Sequence, residues 1–189
     1  MIVAFLQRIC RILTTVFITC HVALPVNKNI IITRSVRSLK TNKMETLQHQ
    51  QLKLSLKNKC VEFMFAYQQK NVSKMLSFCD PEGTVEFIPL GEAGKGRIGE
   101  LGKNIWTMLI DCFPNIDNTL DAAVAEDTNT VRCQVVIRGT QAKDFAGIPN
   151  KGKSFDSDHI FIFHINSVNR IDYISVEWNH TDFSRQLGY

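Results

Sequence analysis

A change of hydrophobic period at Pro114 constrains this chain more than any other feature. Between Glu45 and Pro114 apolar residues recur mainly at helical spacing, and after it they alternate as strands do. Leu47, Leu52, Leu54, Leu56, Val61, Phe63, Met64, Phe65 and Tyr67 lie in a stretch without Gly or Pro, which predicts a long helix over 45–69. Asn71-Val-Ser interrupts it, and Val72–Phe78 reads as a short second helix stopped by Asp80-Pro81. Thr84–Leu90 alternates like a strand, placed at a sheet edge by Pro89. The Gly-rich run 91–99 fails the phosphate-loop pattern and is expected to be a flexible loop. Ile98–Phe113 is then a third helix with an apolar stripe through Leu101, Ile105, Trp106, Leu109 and Phe113.

Four strand-like stretches follow, at about 116–127, 130–142, 153–165 and 171–183. Helices first and a meander of strands afterwards imply an α+β domain, with helices packed on one face of an antiparallel sheet.

Charge divides the chain at a different place. The formal net charge is +4, from 22 Lys and Arg against 18 Asp and Glu. Seven of those cations and none of the acids lie in residues 1–44, so the remainder carries 15 cations against 18 acids, or −3. An acidic body without a basic aromatic platform argues against nucleic-acid binding. Residues 1–44 are therefore expected to lie outside a folded domain over 45–189.

The uncharged apolar run Ile12–Asn27, preceded by Arg8 and Arg11, is too short for a membrane-spanning helix. It is compatible with a targeting or anchoring segment, or with an extension ahead of a true start at Met44. A start at Met44 implies a cytoplasmic protein. Retention of residues 1–26 implies an organelle-targeted or membrane-anchored one, and only then membrane contact. Residues 27–44, rich in Lys, Arg, Asn, Ser and Thr, are expected to form an unstructured linker.

Cys10 and Cys20 lie in the extension, and Cys60, Cys79, Cys112 and Cys133 are scattered through the body. No C-x-x-C and no Cys/His cluster is present, so no metal site is expected and the thiols read as buried and free.

Several segments together resemble a known family. Phe113-Pro114, Arg138-Gly139-Thr140, Phe145-Ala-Gly-Ile-Pro-Asn-Lys-Gly-Lys, Trp178 and Arg185-Gln-Leu-Gly188 occur in the order found in the SnoaL-like polyketide (ester) cyclases, of the nuclear-transport-factor-two-like superfamily. The resemblance covers roughly residues 58–189. It implies a cone-shaped curved antiparallel sheet packed with about three helices and enclosing a pocket, a small hydrophobic ligand, no metal or organic cofactor, and a homodimer.

The family's acid/base aspartate follows a Trp on the last strand, and that position here is Asn179. An amide donates and accepts hydrogen bonds but exchanges no proton near neutral pH. Strand alternation puts Tyr173, Ser175, Glu177 and Asn179 on one face, so a cavity-facing Asn179 brings Glu177 with it. A carboxyl in an apolar cone gains a raised pKa and can carry protons. His159 is the other acid/base candidate, its facing dependent on the turn around Asn166–Arg170. Asp156, Asp158, Asp182, His164 and His180 read as solvated.

The catalytic candidates are thus Glu177, His159 and Asn179. Tyr67, Trp106, Phe113, Thr140 and Ser175 are expected to contact the ligand. Two functions fit: a cofactor-independent acid/base cyclase or isomerase, and a non-catalytic ligand-binding or dimeric interaction module. The scaffold does not choose between them.

Overall fold

A computed structural model describes residues 28–189. The expectations for residues 1–27 lie outside the described residues. Helix α1 runs from Lys28 to Gln68. The linker expected before residue 45 is thus helical from Lys28, since nothing between Lys28 and Gln68 is Gly or Pro. The helix ends where Lys70 takes a left-handed φ of 59° and its N–H donates to the Tyr67 carbonyl. Contacts group Glu45–Tyr189 as one compact unit.

Helix α2 (Val72–Ser77) is capped by Asn71, whose side chain accepts from the Lys74 N–H at 2.9 Å. Strand β1 spans Cys79–Phe87, a longer strand than expected. Pro89 lies past its end, in a 3₁₀ turn over Ile88–Gly94. Strand β2 (Lys95–Arg97) then pairs antiparallel with β1, so the Gly-rich run forms a tight return and an edge strand instead of a flexible loop. Only glycine fits at position 94, because a Cβ there would sit 2.3 Å from the Phe87 carbonyl oxygen. A π-helical turn (Ile98–Gly102) leads into α3 (Lys103–Cys112), which stops before Pro114.

The remaining strands are β3 (Asp117–Ala125), β4 (Thr130–Thr140), β5 (Ser154–Ile165) and β6 (Ile171–Trp178). They form one curved, open sheet in the order β2-β1-β6-β5-β4-β3. The antiparallel expectation holds for four of its five strand pairs. The exception is β1–β6, which is parallel, because β6 returns beside β1 after pairing antiparallel with β5. The last strand also ends five residues before its expected limit. Asn179 accepts from the Asp182 N–H at 2.9 Å and opens helix α4 (His180–Gln186).

The inner sheet face carries Val131, Cys133, Phe161, Phe163, Ile174 and Val176, and α1 buries Leu56, Cys60, Phe63 and Met64. Asn118 on β3 ties helix to sheet by donating to the Met64 carbonyl at 3.3 Å. At the other end, Gln186 of the Arg-Gln-Leu-Gly tail bonds both the N–H and the carbonyl of Asp156 on β5, at 2.8 and 3.0 Å, while Leu187 is fully buried. Among the described residues no helix is long and apolar enough to cross a membrane.

Candidate functional site

A cavity of about 120 Å³ lies at the inner face of β5 and β6. Phe161 and His159 from β5, Val176 and Trp178 from β6, Tyr67 from α1 and Ile105, Trp106 and Leu109 from α3 are among its walls. Among the described residues no Asp, Glu, Lys or Arg lines it. Its rim includes Phe145 and Ala146 from the loop 145–153 and His180 from α4. That loop is fixed by a Phe145–Ile148 bridge and by Gln141, whose side-chain amide donates to the Ile148 carbonyl at 3.1 Å. Glycine at 147 and 152 supplies the left-handed angles the loop requires.

His159 sits opposite Trp178 in the β5–β6 register, and its ring stacks on the indole. Its Nδ1 lies 2.9 Å from the Ser157 carbonyl oxygen. A carbonyl only accepts, so Nδ1 carries the hydrogen and Nε2 of the neutral ring is left as an acceptor. Burial pushes the imidazole down from 6.5 to about 4, against the smaller opposing effects of the Ser157 bond and the Asp158 charge.

Tyr67 is 2% exposed, and burial pushes its phenol well above the ordinary value of 10.0. Its hydroxyl has no hydrogen-bond partner among the described residues. The site therefore presents a neutral nitrogen acceptor and a neutral hydroxyl within apolar and aromatic walls.

Of the residues expected to form the site, His159, Tyr67 and Trp106 meet at this cavity. Trp106 packs edge-on to Phe63 and Phe87, with ring centroids 5.5 and 6.1 Å away. Five others lie elsewhere. Glu177 is exposed and points away, because its neighbours Val176 and Trp178 take the cavity face. Asn179 is exposed and spends its side-chain oxygen on the α4 cap.

Ser175 shares the outer face with Glu177, between Glu86 and Ile162 in the register. Thr140 also faces outward, bonded to Asn115 and Ser154 in an open polar groove. Phe113 is fully buried beside the cavity, edge-on to Phe145, Phe155 and Phe183. His164, expected to be solvated, is half-buried on the outer face, with Nδ1 2.5 Å from Asp172 and Nε2 accepting from Asn129 at 2.9 Å.

Sequence reasoning missed Phe161, Val176 and Trp178 as cavity walls, although Trp178 pairs directly with His159. The signal was the Asn179-x-x-Asp182 cap, which ends the strand at Trp178 and makes 179 a poor guide to facing. Among the described residues no group of three His, Cys, Asp or Glu side chains is placed to hold a metal ion.

No protein-family model matches this chain, and no curated protein sequence matches it. Solved structures do match. A protein from Jannaschia sp. CCS1, named as a SnoaL-like polyketide cyclase, superposes with a TM-score of 0.64 at 12% identity, over 72% of this chain and 93% of its own. IdmH from Streptomyces antibioticus, named as a polyketide cyclase, gives 0.60 at 19% identity, over 71% and 99%. TsrD from Streptomyces laurentii gives 0.61 at 22% identity, over 71% and 96%. The sheet order, the helices and these superpositions agree: the chain has the fold of the SnoaL-like polyketide cyclases.

Proposed function

We propose that the chain takes a small, uncharged hydrophobic molecule into the cavity beside β5 and β6 and acts on it as a cofactor-independent acid/base protein of the cyclase or isomerase type, with His159 as the proton-accepting group. The observation that supports this most is the placement of the His159 imidazole, its Nε2 without a partner among the described residues, in a lining whose other members, the Tyr67 hydroxyl and His180 apart, are apolar or aromatic. The names of the structural neighbours point the same way. Glu177 and Asn179 have no part in this proposal, since neither side chain reaches the cavity.

The competing possibility is ligand binding without turnover. The low His159 pKa favours it, because a base whose conjugate acid is so acidic abstracts protons weakly at neutral pH. A panel of small enolisable ketones, screened first for binding and then for turnover, decides between them. Turnover that His159→Gln abolishes supports the acid/base role. Binding with no turnover of any bound ketone leaves a binding module.

We also propose that the chain works as a homodimer. Support comes from the outer sheet face, where Val124 is 55% exposed and Val136, Ile160 and Ile162 are half-buried. Sedimentation equilibrium of the wild type against Ile162→Lys tests it, with a dimer expected only for the wild type.

A further inference from the structure

We infer that the ligand is a neutral single-ring phenol or enol, whose hydroxyl donates to His159 Nε2 and whose second oxygen, where it has one, accepts from the Tyr67 hydroxyl; this rests on the small-molecule proposal above and narrows it.

Size comes first. A cavity of about 120 Å³ is slightly smaller than the ~150 Å³ apolar cavity known to hold one benzene, so its interior matches a single ring better than a fused polycycle. Charge comes second. With no acid or base of fixed charge on the wall, an ionised ligand would lose its hydration and find no counter-charge.

Hydrogen-bond polarity comes third. The Ser157 carbonyl holds the Nδ1 hydrogen of His159, so the group offered to the ligand is an acceptor, and a bare ether or ketone gives it nothing. Tyr67 supplies the complement. No fully buried side-chain oxygen or nitrogen among the described residues lacks a partner, so the Tyr67 hydroxyl, which bonds none of them, reaches the cavity space, where a ligand oxygen can bond it. Both residues line the same cavity. Trp178 and Trp106 offer aromatic surfaces for that ring.

The test is isothermal calorimetry on the full chain with p-cresol, 4-methylanisole, 4-hydroxyacetophenone and 1-hydroxyanthraquinone. The expected order puts p-cresol about tenfold or more tighter than 4-methylanisole, because a pocket acceptor left unpaired penalises the analogue without the donor. His159→Phe removes that preference, whereas His159→Gln, which retains an acceptor, keeps part of it. Tyr67→Phe weakens 4-hydroxyacetophenone and leaves p-cresol unchanged.

Equal binding of p-cresol and 4-methylanisole by the wild type, or tighter binding of 1-hydroxyanthraquinone than of p-cresol, overturns the inference and leaves the small-molecule proposal standing. No binding of any of the four removes both. The wild-type comparison holds even where a variant fails to fold.

Discussion

His159 lies against Trp178 with ring centroids 5.7 Å apart and planes 21° from parallel, a cross-strand stack that closes one wall of the cavity. The imidazole is half-buried there and is held neutral by that burial. Its folded pKa of about 4 lies below the ordinary 6.5, so between those values the unfolded chain takes up a proton that the folded one refuses. Stability contributed by neutral His159 is therefore complete above about pH 6.5 and lost as pH falls towards 4. The loss is of the order of 3 kcal/mol. Urea unfolding between pH 4 and 7 should show that slope in the wild type and a flatter one in His159→Phe. Identical slopes would exclude His159 as the origin.

Phe113 is a core residue, and its replacement should act on folding. Edge-on contacts with Phe145, Phe155 and Phe183 surround its fully buried ring. Phe113→Ala should cost about 3–5 kcal/mol. Thermal melts should show the loss, and Phe113→Leu should recover much of it. A Phe113→Ala protein of normal stability with altered ligand preference would place Phe113 in the site instead.

Glu177 and Asn179 should behave as surface groups. Glu177→Gln should stay within about 0.5 kcal/mol of the wild type and leave ligand binding unchanged. Asn179→Ala should lose about 1 kcal/mol, the value of a helix cap, again without affecting the ligand. Asn179→Asp restores the residue type of the resembled family but should be nearly neutral, since Asp caps as well as Asn. Denaturant midpoints and calorimetry on the three variants check all of this together.

Gly102 sets the position of the Trp106 indole. A Cβ at 102 would lie 2.8 Å from Cζ3 of that ring, which Phe63 and Phe87 hold from other sides. Gly102→Ala should therefore destabilise by about 1–3 kcal/mol through overpacking. Ligand affinity should change as well, because the displaced ring is a cavity wall. A stability change with no shift in p-cresol affinity would show that the indole does not set the cavity's size.

The described cysteines should be inert. Cys60, Cys79, Cys112 and Cys133 are all buried and free, and burial pushes Cys79 and Cys133 up to about 12. Thiolate is the reactive form, so a disulfide reagent at pH 8 should modify these four only on unfolding. Peptide mapping after labelling distinguishes them from Cys10 and Cys20. Fast native labelling of Cys60 would contradict its burial.

Much of the fold was legible because local signals and tertiary structure agree. The Gly- and Pro-free run of α1, the stop before Pro114 and the four strands after it all reflect propensity and period. Strand pairing was less legible: alternation reports which residues share a face, but not whether β6 lies parallel to a neighbour. The facing of the last strand was hidden by a related ambiguity. Placing Asn179 in the cavity carried Glu177 and Ser175 with it, whereas one helix cap at Asn179 reversed the whole set. Tyr67, Trp106 and His159 share one cavity, since a buried aromatic or imidazole has few places to go. Thr140, a small polar residue, gave no comparable constraint.

The parallel neighbour of β1 is also the last of the described strands in chain order. β1 is complete at Phe87, but it cannot gain that partner until residues 171–178 have been synthesised. During translation the β6-side edge of β1 must wait, exposed or chaperoned, while β3 to β5 can already form their hairpins. Loss of residues 171–178 would thus remove a central strand and leave the two sides of the sheet unjoined, so a chain terminated ahead of them could not complete this sheet.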